Sequence, residues 1–190
     1  MEERIDIMTD IETLGVKDNV AIIQLSAIAF NIKTGEYIDT FNNLIDVSKV
    51  DGLIIDGSTL KWWLETNKEL LTNIITQATK QLDEVLFLFN EWIEELNCHS
   101  KKKFLWGNGI LFDNRIIQDQ MRKYGLDYPI FYRNDRDVRT IVELAGIKEN
   151  ITEKELKQRF NNDSLTKHDA FDDTRYQIEL VCGCYKIIMK

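Results

Sequence analysis

The chain is poor in the residues that would commit it to a specialised class. It has one proline, Pro129, in 190 residues, and nine glycines with no repeat. That excludes collagen-like, polyproline and low-complexity architectures. Three cysteines are present, an odd number: Cys98 stands alone, and Cys182 and Cys184 share a Cys-Gly-Cys run. Neither a disulfide framework nor a zinc spacing fits them, so a reducing, cytoplasmic setting is expected. No apolar run is long enough to span a bilayer. The start, Met1-Glu2-Glu3-Arg4, is charged and leads directly into a strand pattern, so no signal peptide is expected. Cations are also scarce, with 24 Lys and Arg against 32 Asp and Glu, a net charge of −8. A protein that coats duplex DNA through many phosphate contacts is disfavoured. One that grips a few nucleotides is not, provided cations neutralise any acidic cleft.

What is present is an ordinary globular balance, 44% hydrophobic and 29% charged, in a length that suits one domain, residues 1–190. Residues 5–12 alternate, with Ile5, Ile7, Thr9 and Ile11 on one side and Asp6, Met8, Asp10 and Glu12 on the other, which predicts a strand. Residues 21–31 and 37–46 read as two more strands joined in antiparallel hairpins, with Gly35 in a turn. Short helices are expected over 59–67 and 70–76, and a longer one over 81–97. A short strand follows at 103–106, a helix at 112–124, a fifth strand at 130–132 and a helix at 137–145 closed by Gly146. Residues 148–164 are polar with room for a short helix, and a last helix covers about 170–188. The fold class is α/β: a mixed five-stranded sheet, three antiparallel strands then parallel ones, flanked by helices.

Three acidic features stand out. Asp10 and Glu12 lie two apart near the end of the first strand, so both carboxylates leave the same face. A divalent cation would relieve their repulsion; taken alone, however, the pair is better explained as two solvated acids at a strand end, since Asp-x-Glu is common by chance. Asp113 follows the Trp106-Gly107-Asn108-Gly109 run and an aromatic, Phe112, near the start of a helix. There it serves as a helix-capping acid or as a ligand. His168 and Asp173 are five apart, about 140° around a helix. They reach one cleft only if His168 sits in the loop before the last helix; an acidic cap with an incidental histidine is the alternative.

Together, and in this order, these features resemble the DnaQ-like 3′→5′ exonucleases of the DEDDh type, which have the ribonuclease H-like fold. The matching motifs are Asp10-Ile11-Glu12-Thr13-Leu14-Gly15, then Asn108 through Phe112-Asp113, then His168-Asp169-Ala170-Phe171-Asp172-Asp173. Trp62-Trp63, the Trp106-to-Gly109 run and Arg136-Asp137-Val138-Arg139-Thr140 are similar to the compact exonucleases around phage exonuclease A and a group of small bacterial exoribonucleases. The resemblance implies two divalent ions, Mg²⁺ or Mn²⁺, held by Asp10, Glu12, Asp113 and Asp173, with His168 as general base. It also implies a pocket for the terminal nucleotide at Thr13, Leu14 and Gly15. Trp62, Trp63, Asn108, Arg136 and Arg139 are further candidates for substrate contact, although two adjacent tryptophans on a helix cannot both face one cleft. The implied partner is a single-stranded 3′ end, DNA or RNA, and not a membrane. No pattern names a protein partner, and a homo-oligomer is compatible with the sequence. A catalytically inactive binding module, or a hydrolase of very short oligonucleotides, would use the same fold; the complete set of four acids and a histidine favours the exonuclease.

Overall fold

The structure is a computed structural model that describes residues 4–17, 19–49 and 52–190. Three antiparallel strands come first, β1 (Ile5–Thr13), β2 (Ile22–Phe30) and β3 (Tyr37–Leu44). Helices α1 (Gly57–Thr66), α2 (Lys68–Gln77) and α3 (Leu82–Glu95) follow. Then come β4 (Lys103–Gly107), α4 (Asp113–Lys123), β5 (Asp135–Asp137), α5 (Val138–Glu149), α6 (Glu153–Arg159) and α7 (Ala170–Met189). The sheet order is β3-β2-β1-β4-β5, with β1–β2 and β2–β3 antiparallel and β1–β4 and β4–β5 parallel. The mixed five-stranded sheet flanked by helices agrees with the expected class.

β1 is the central strand, and both its faces are covered. Ile5, Ile7 and Ile11 pack with Leu86, Phe89, Ile93 and Ile117 from α3 and α4. Met8 packs on the other face with Trp106, Val142, Ile178 and Val181. The alternation read as an apolar and a polar face is therefore an alternation between two cores. Asp6, on the second face, is fully buried because the Trp106 indole and the Arg4 guanidinium donate to it. A register shift against β2 between Glu12 and Thr13 ends the regular ladder where the acidic motif ends.

Two expectations are corrected. The fifth strand lies at Asp135–Asp137, not at 130–132. Ile130 is buried in the first core, and the next residues turn back, with the Asn134 N–H donating to the Phe131 carbonyl. The real strand, Asp-Arg-Asp, is a polar edge that hydrophobic periodicity cannot reveal. Likewise α5 does not close at Gly146 but runs to Glu149 and ends at Asn150, whose left-handed backbone (φ 55°) forms the cap. Gly146 is needed for packing instead: a Cβ there would stand 3.0 Å from the Ile151 carbonyl oxygen.

Candidate active site

Four elements meet at the C-terminal end of β1. The strand places Asp10 and Glu12 on the face covered by α7. The loop after β4 delivers Asp113 at the first turn of α4, and α7 brings Asp173 in its own first turn. Local sequence makes each approach possible. Gly107 lies against α4 so closely that a Cβ would collide with the Asn114 side chain. Asp169 caps α7 by accepting from the Phe171 and Asp172 N–H groups. Gln24 of β2 accepts the Ala170 N–H, which pins the start of α7 to the sheet.

The carboxylates strongly perturb one another. Burial, then Asp113, Glu12 and Asp173, push Asp10 well above the ordinary carboxylate range, and only a 2.8 Å hydrogen bond from the Gln177 amide opposes them. Burial, then Asp173 and Asp113, raise Glu12 to about 9. Burial raises Asp113 to about 7, against backbone N–H groups and the positive charge of Arg139. Asp173 is raised by burial and partly relieved by His168. Four acids that cannot all ionise side by side, and that offer only oxygen donors, fit hard divalent cations such as Mg²⁺ or Mn²⁺. Among the described residues, ligand atoms of Glu12, His168 and Asp173 also lie within 4.8 Å of one another.

His168 sits in the loop before α7 with a left-handed backbone, φ 65°, uncommon for a residue other than glycine. Its backbone N–H donates to Asp173 Oδ2 at 3.2 Å, and its ring meets Trp62 edge-on at 5.0 Å between centroids. The two tryptophans part company. Trp63 is 1% exposed and donates its indole N–H to the Thr13 carbonyl at 3.0 Å, whereas Trp62 is 41% exposed. Trp62 lines a cavity of about 410 Å³ with Glu12, Thr13, Gly15, Val16, Ser58, Thr59, Trp63 and Phe112. A second cavity of about 460 Å³ adjoins Asp173, with Asn108, Asn161, Asn162, His168 and Gln177 among its lining residues.

The structure thus brings Asp10, Glu12, Asp113, His168 and Asp173 together, with Thr13, Gly15, Trp62, Trp63 and Asn108 on the adjoining walls. Arg139 is beside them, its guanidinium 3.1 Å from where a Gly109 Cβ would stand. Leu14 turns away: its side chain is 2% exposed, its N–H donates to the Ala21 carbonyl and its own carbonyl accepts from Asp56. Arg136 points back along β5, over the Phe104 ring and onto the carbonyls of Arg133 and Asp135. Asp172 pairs with Arg175 and accepts the Thr166 N–H. Gln177 was not foreseen; its signal was its place one helical turn after Asp173. Val16, Ser58 and Thr59 carried none, since only the fold carries them to the cavity wall.

A family model described as a 3′–5′ exoribonuclease Rv2179c-like domain matches residues 5–184. The chain belongs to this family. An exodeoxyribonuclease of Enterobacteria phage T4 is 25% identical over 193 residues, covering 88% of this chain and 83% of the relative. Solved structures share the fold. The nuclease domain of 3′hExo, a DEDDh family member, bound to rAMP, gives a TM-score of 0.68 at 15% identity over 97% of this chain and 92% of that one. Cell-death related nuclease 4 gives 0.71 at 16% identity, and the chain spans 64% of its length. The fold is therefore ribonuclease H-like and the family is one of 3′–5′ exonucleases. No described helix is long and apolar enough to cross a membrane.

Proposed function

We propose that this family member removes nucleotides one at a time from the 3′ end of a single strand, with two divalent ions held by Asp10, Glu12, Asp113 and Asp173. The observation that carries this reading is the gathering of four mutually repelling, partly or fully buried carboxylates beside one imidazole, next to a cavity of about 410 Å³ walled by Glu12, Thr13 and Trp62. The 3′-terminal nucleotide would enter the 410 Å³ cavity, its base against Trp62 and its sugar near Thr13 and Gly15. Bound divalent ions would offset the phosphate charge, lower the pKa of the attacking water and stabilise the leaving 3′ oxygen.

The rest falls to the chain's own groups. His168 takes the proton of the attacking water at a ring nitrogen as the new P–O bond forms and the P–O3′ bond breaks. The leaving oxygen then acquires a proton, giving a nucleoside 5′-monophosphate and a strand shorter by one. Asp173 accepts the His168 backbone N–H, which anchors the loop that carries the ring, and the Trp62 and Trp63 rings meet the imidazole edge-on. Arg139 lies where it can meet phosphate oxygens beside Asp113.

The matched family model is named for RNA and the phage relative for DNA, so the test uses both sugars. Single-stranded DNA and RNA of one sequence, labelled at the 5′ end, are incubated with Mg²⁺, Mn²⁺ or EDTA. A metal-dependent ladder of shortened products is expected with the wild-type protein and none with Asp10→Ala. His168→Ala should lower turnover strongly while metal affinity changes little. Cleavage of neither strand by folded, metal-loaded protein would overturn the proposal.

A further inference from the structure

The exposed edge of the sheet opposite β3 carries a group of cations and aromatic rings that the active site does not use. Lys101 lies 5.5 Å from the centroid of the Phe131 ring, and Arg133 lies 5.2 Å from that of Tyr132. Arg136 and Arg4 both stand over Phe104, at 4.6 and 4.0 Å. Cation–π pairs of this kind occur about once per 70–80 residues, so two or three are expected in a whole chain of this length; this one edge has four. The Phe131 and Tyr132 rings also touch, with centroids 4.6 Å apart, and Tyr132 is 72% exposed. The segment is held in place rather than loose, because the Asn134 amide donates to the carbonyls of both Lys101 and Lys103.

The charge of this edge is only partly offset among the described residues that form it: Arg4 pairs with Asp6, but Lys101 and Arg133 form no ion pair among them. Asp6 is committed to Arg4 and Trp106, and Asp135 to Asn114 and Tyr128. Arg136 donates to the Arg133 and Asp135 carbonyls and feels the Asp6 and Asp135 carboxylates, whereas Lys101 and Arg133 lie over aromatic rings. In a chain of net charge −8, a cationic and aromatic edge is out of keeping with the rest of the surface. Cations alternating with accessible rings are the features that hold single-stranded nucleic acid without regard to sequence: the cations meet phosphates and the rings stack on bases.

The position is also appropriate. Asp6 pairs with Phe104 across β1 and β4, and Asp10 lies four residues further along β1, so the edge begins about 13 Å from the carboxylates at about 3.3 Å per residue. At about 3.4 Å per stacked nucleotide, that span is about four nucleotides. Arg139, at the site, and Arg136 and Arg133, along β5 and the turn before it, mark the route between them.

We propose that the surface formed by Lys101, Tyr132, Arg133 and Arg136 is a second nucleic-acid site, which holds the single strand upstream of the 3′ end being cut. This rests on the exonuclease reading above. The surface makes binding depend on strand length: a trinucleotide fills only the active site, and a longer strand engages both.

The test compares wild type with Lys101→Ala/Tyr132→Ala/Arg133→Ala, three exposed side chains outside the carboxylate site, after melting curves confirm folding. The substrates are a labelled trinucleotide and a strand of about 16 nucleotides with the same 3′ end, near the upper site size of single-strand binding domains. For the long strand, KM is expected to rise about tenfold with kcat unchanged, and for the trinucleotide neither should change. The slope of log affinity against log salt should flatten by about 0.7 for each of the two cations removed. Equal KM and equal salt slope in the two proteins would overturn the proposal. So would a change in oligomeric mass without a change in strand affinity, since the edge would then join copies of the chain. If the wild type cuts neither substrate, the exonuclease reading fails, and fluorescence anisotropy of the long strand decides the surface by itself. Unchanged binding in the variant overturns it, and weaker binding with the flatter salt slope upholds it.

Discussion

The Gln177 side-chain amide donates to Asp10 Oδ1 at 2.8 Å, tying α7 to the central strand beneath the carboxylates. Gln177 is 4% exposed, and this bond is the one influence that favours the charged form of Asp10 against burial and three acids. Hydrogen bonds to charged groups are worth about 1.5–3 kcal/mol. Gln177→Met keeps the volume and removes the donor. Mg²⁺ affinity should fall about 10- to 100-fold, the usual cost of losing a partner of a metal ligand, with turnover recovered at saturating Mg²⁺. Isothermal titration with metal, compared with wild type, reads the effect; equal affinity would mean the bond has no bearing on the ligand set.

Asp10→Asn separates catalysis from stability. The amide removes one of the mutually repelling charges without changing the shape of the side chain. Hydrolysis should become undetectable, while metal-free protein near pH 8 should melt at a higher temperature than wild type, by about 2–4 °C for each kcal/mol of repulsion relieved. Scanning calorimetry in EDTA gives the sign, and a lower melting temperature would contradict the electrostatic account of the site.

The same charges set a pH dependence. Glu12 and Asp113 have folded-state pKa values of about 9 and about 7, above the ordinary 4.5 and 3.8. Between each pair of values the folded chain binds more protons than the unfolded chain, so unfolding free energy falls as pH rises. The stabilisation from the protonated acids is complete below pH 3.8–4.5 and is lost progressively up to about pH 9. Melting temperature measured in EDTA across this window should decline, and saturating Mg²⁺ or Mn²⁺ should raise it most at the alkaline end. A metal-induced shift independent of pH would show that these carboxylates do not bind the ions.

Trp62 and Trp63 should give opposite phenotypes. Trp63→Ala empties a fully buried position and frees the Thr13 carbonyl, at a cost of about 3–5 kcal/mol in stability. Trp62→Ala leaves the fold intact and raises KM for the terminal nucleotide, because the exposed indole is a wall of the cavity. Urea melts together with steady-state kinetics distinguish the two, and a destabilised Trp62→Ala with wild-type KM would reverse the assignment.

The elements legible in the sequence were those with a strong hydrophobic period. The first three strands and α7 lie within a residue or two of the spans read from residue pattern. The fifth strand was misplaced because an edge strand of Asp-Arg-Asp has no apolar alternation, while the neighbouring Ile130 has a buried side chain outside the sheet. In the site, spacing alone left each acidic feature open, and it was the order of the three motifs, through their resemblance to a known family, that singled out the carboxylates found together at β1. Motif spacing could not show that the Leu14 backbone is spent on Ala21 and Asp56, or that Arg136 folds back over Phe104. Those outcomes depend on contacts between residues far apart in the chain.

The site is assembled from the two extremes of this sequence: Asp10 comes from the first strand, and Asp173 and Gln177 from the last helix. During synthesis on the ribosome, a chain can carry Asp10, Glu12 and Asp113 for the entire time that the remaining residues are being added, without the fourth acid, the histidine or the amide that steadies Asp10. The full cluster of acids, with the histidine and the amide beside it, therefore forms only once α7 has been made and docked.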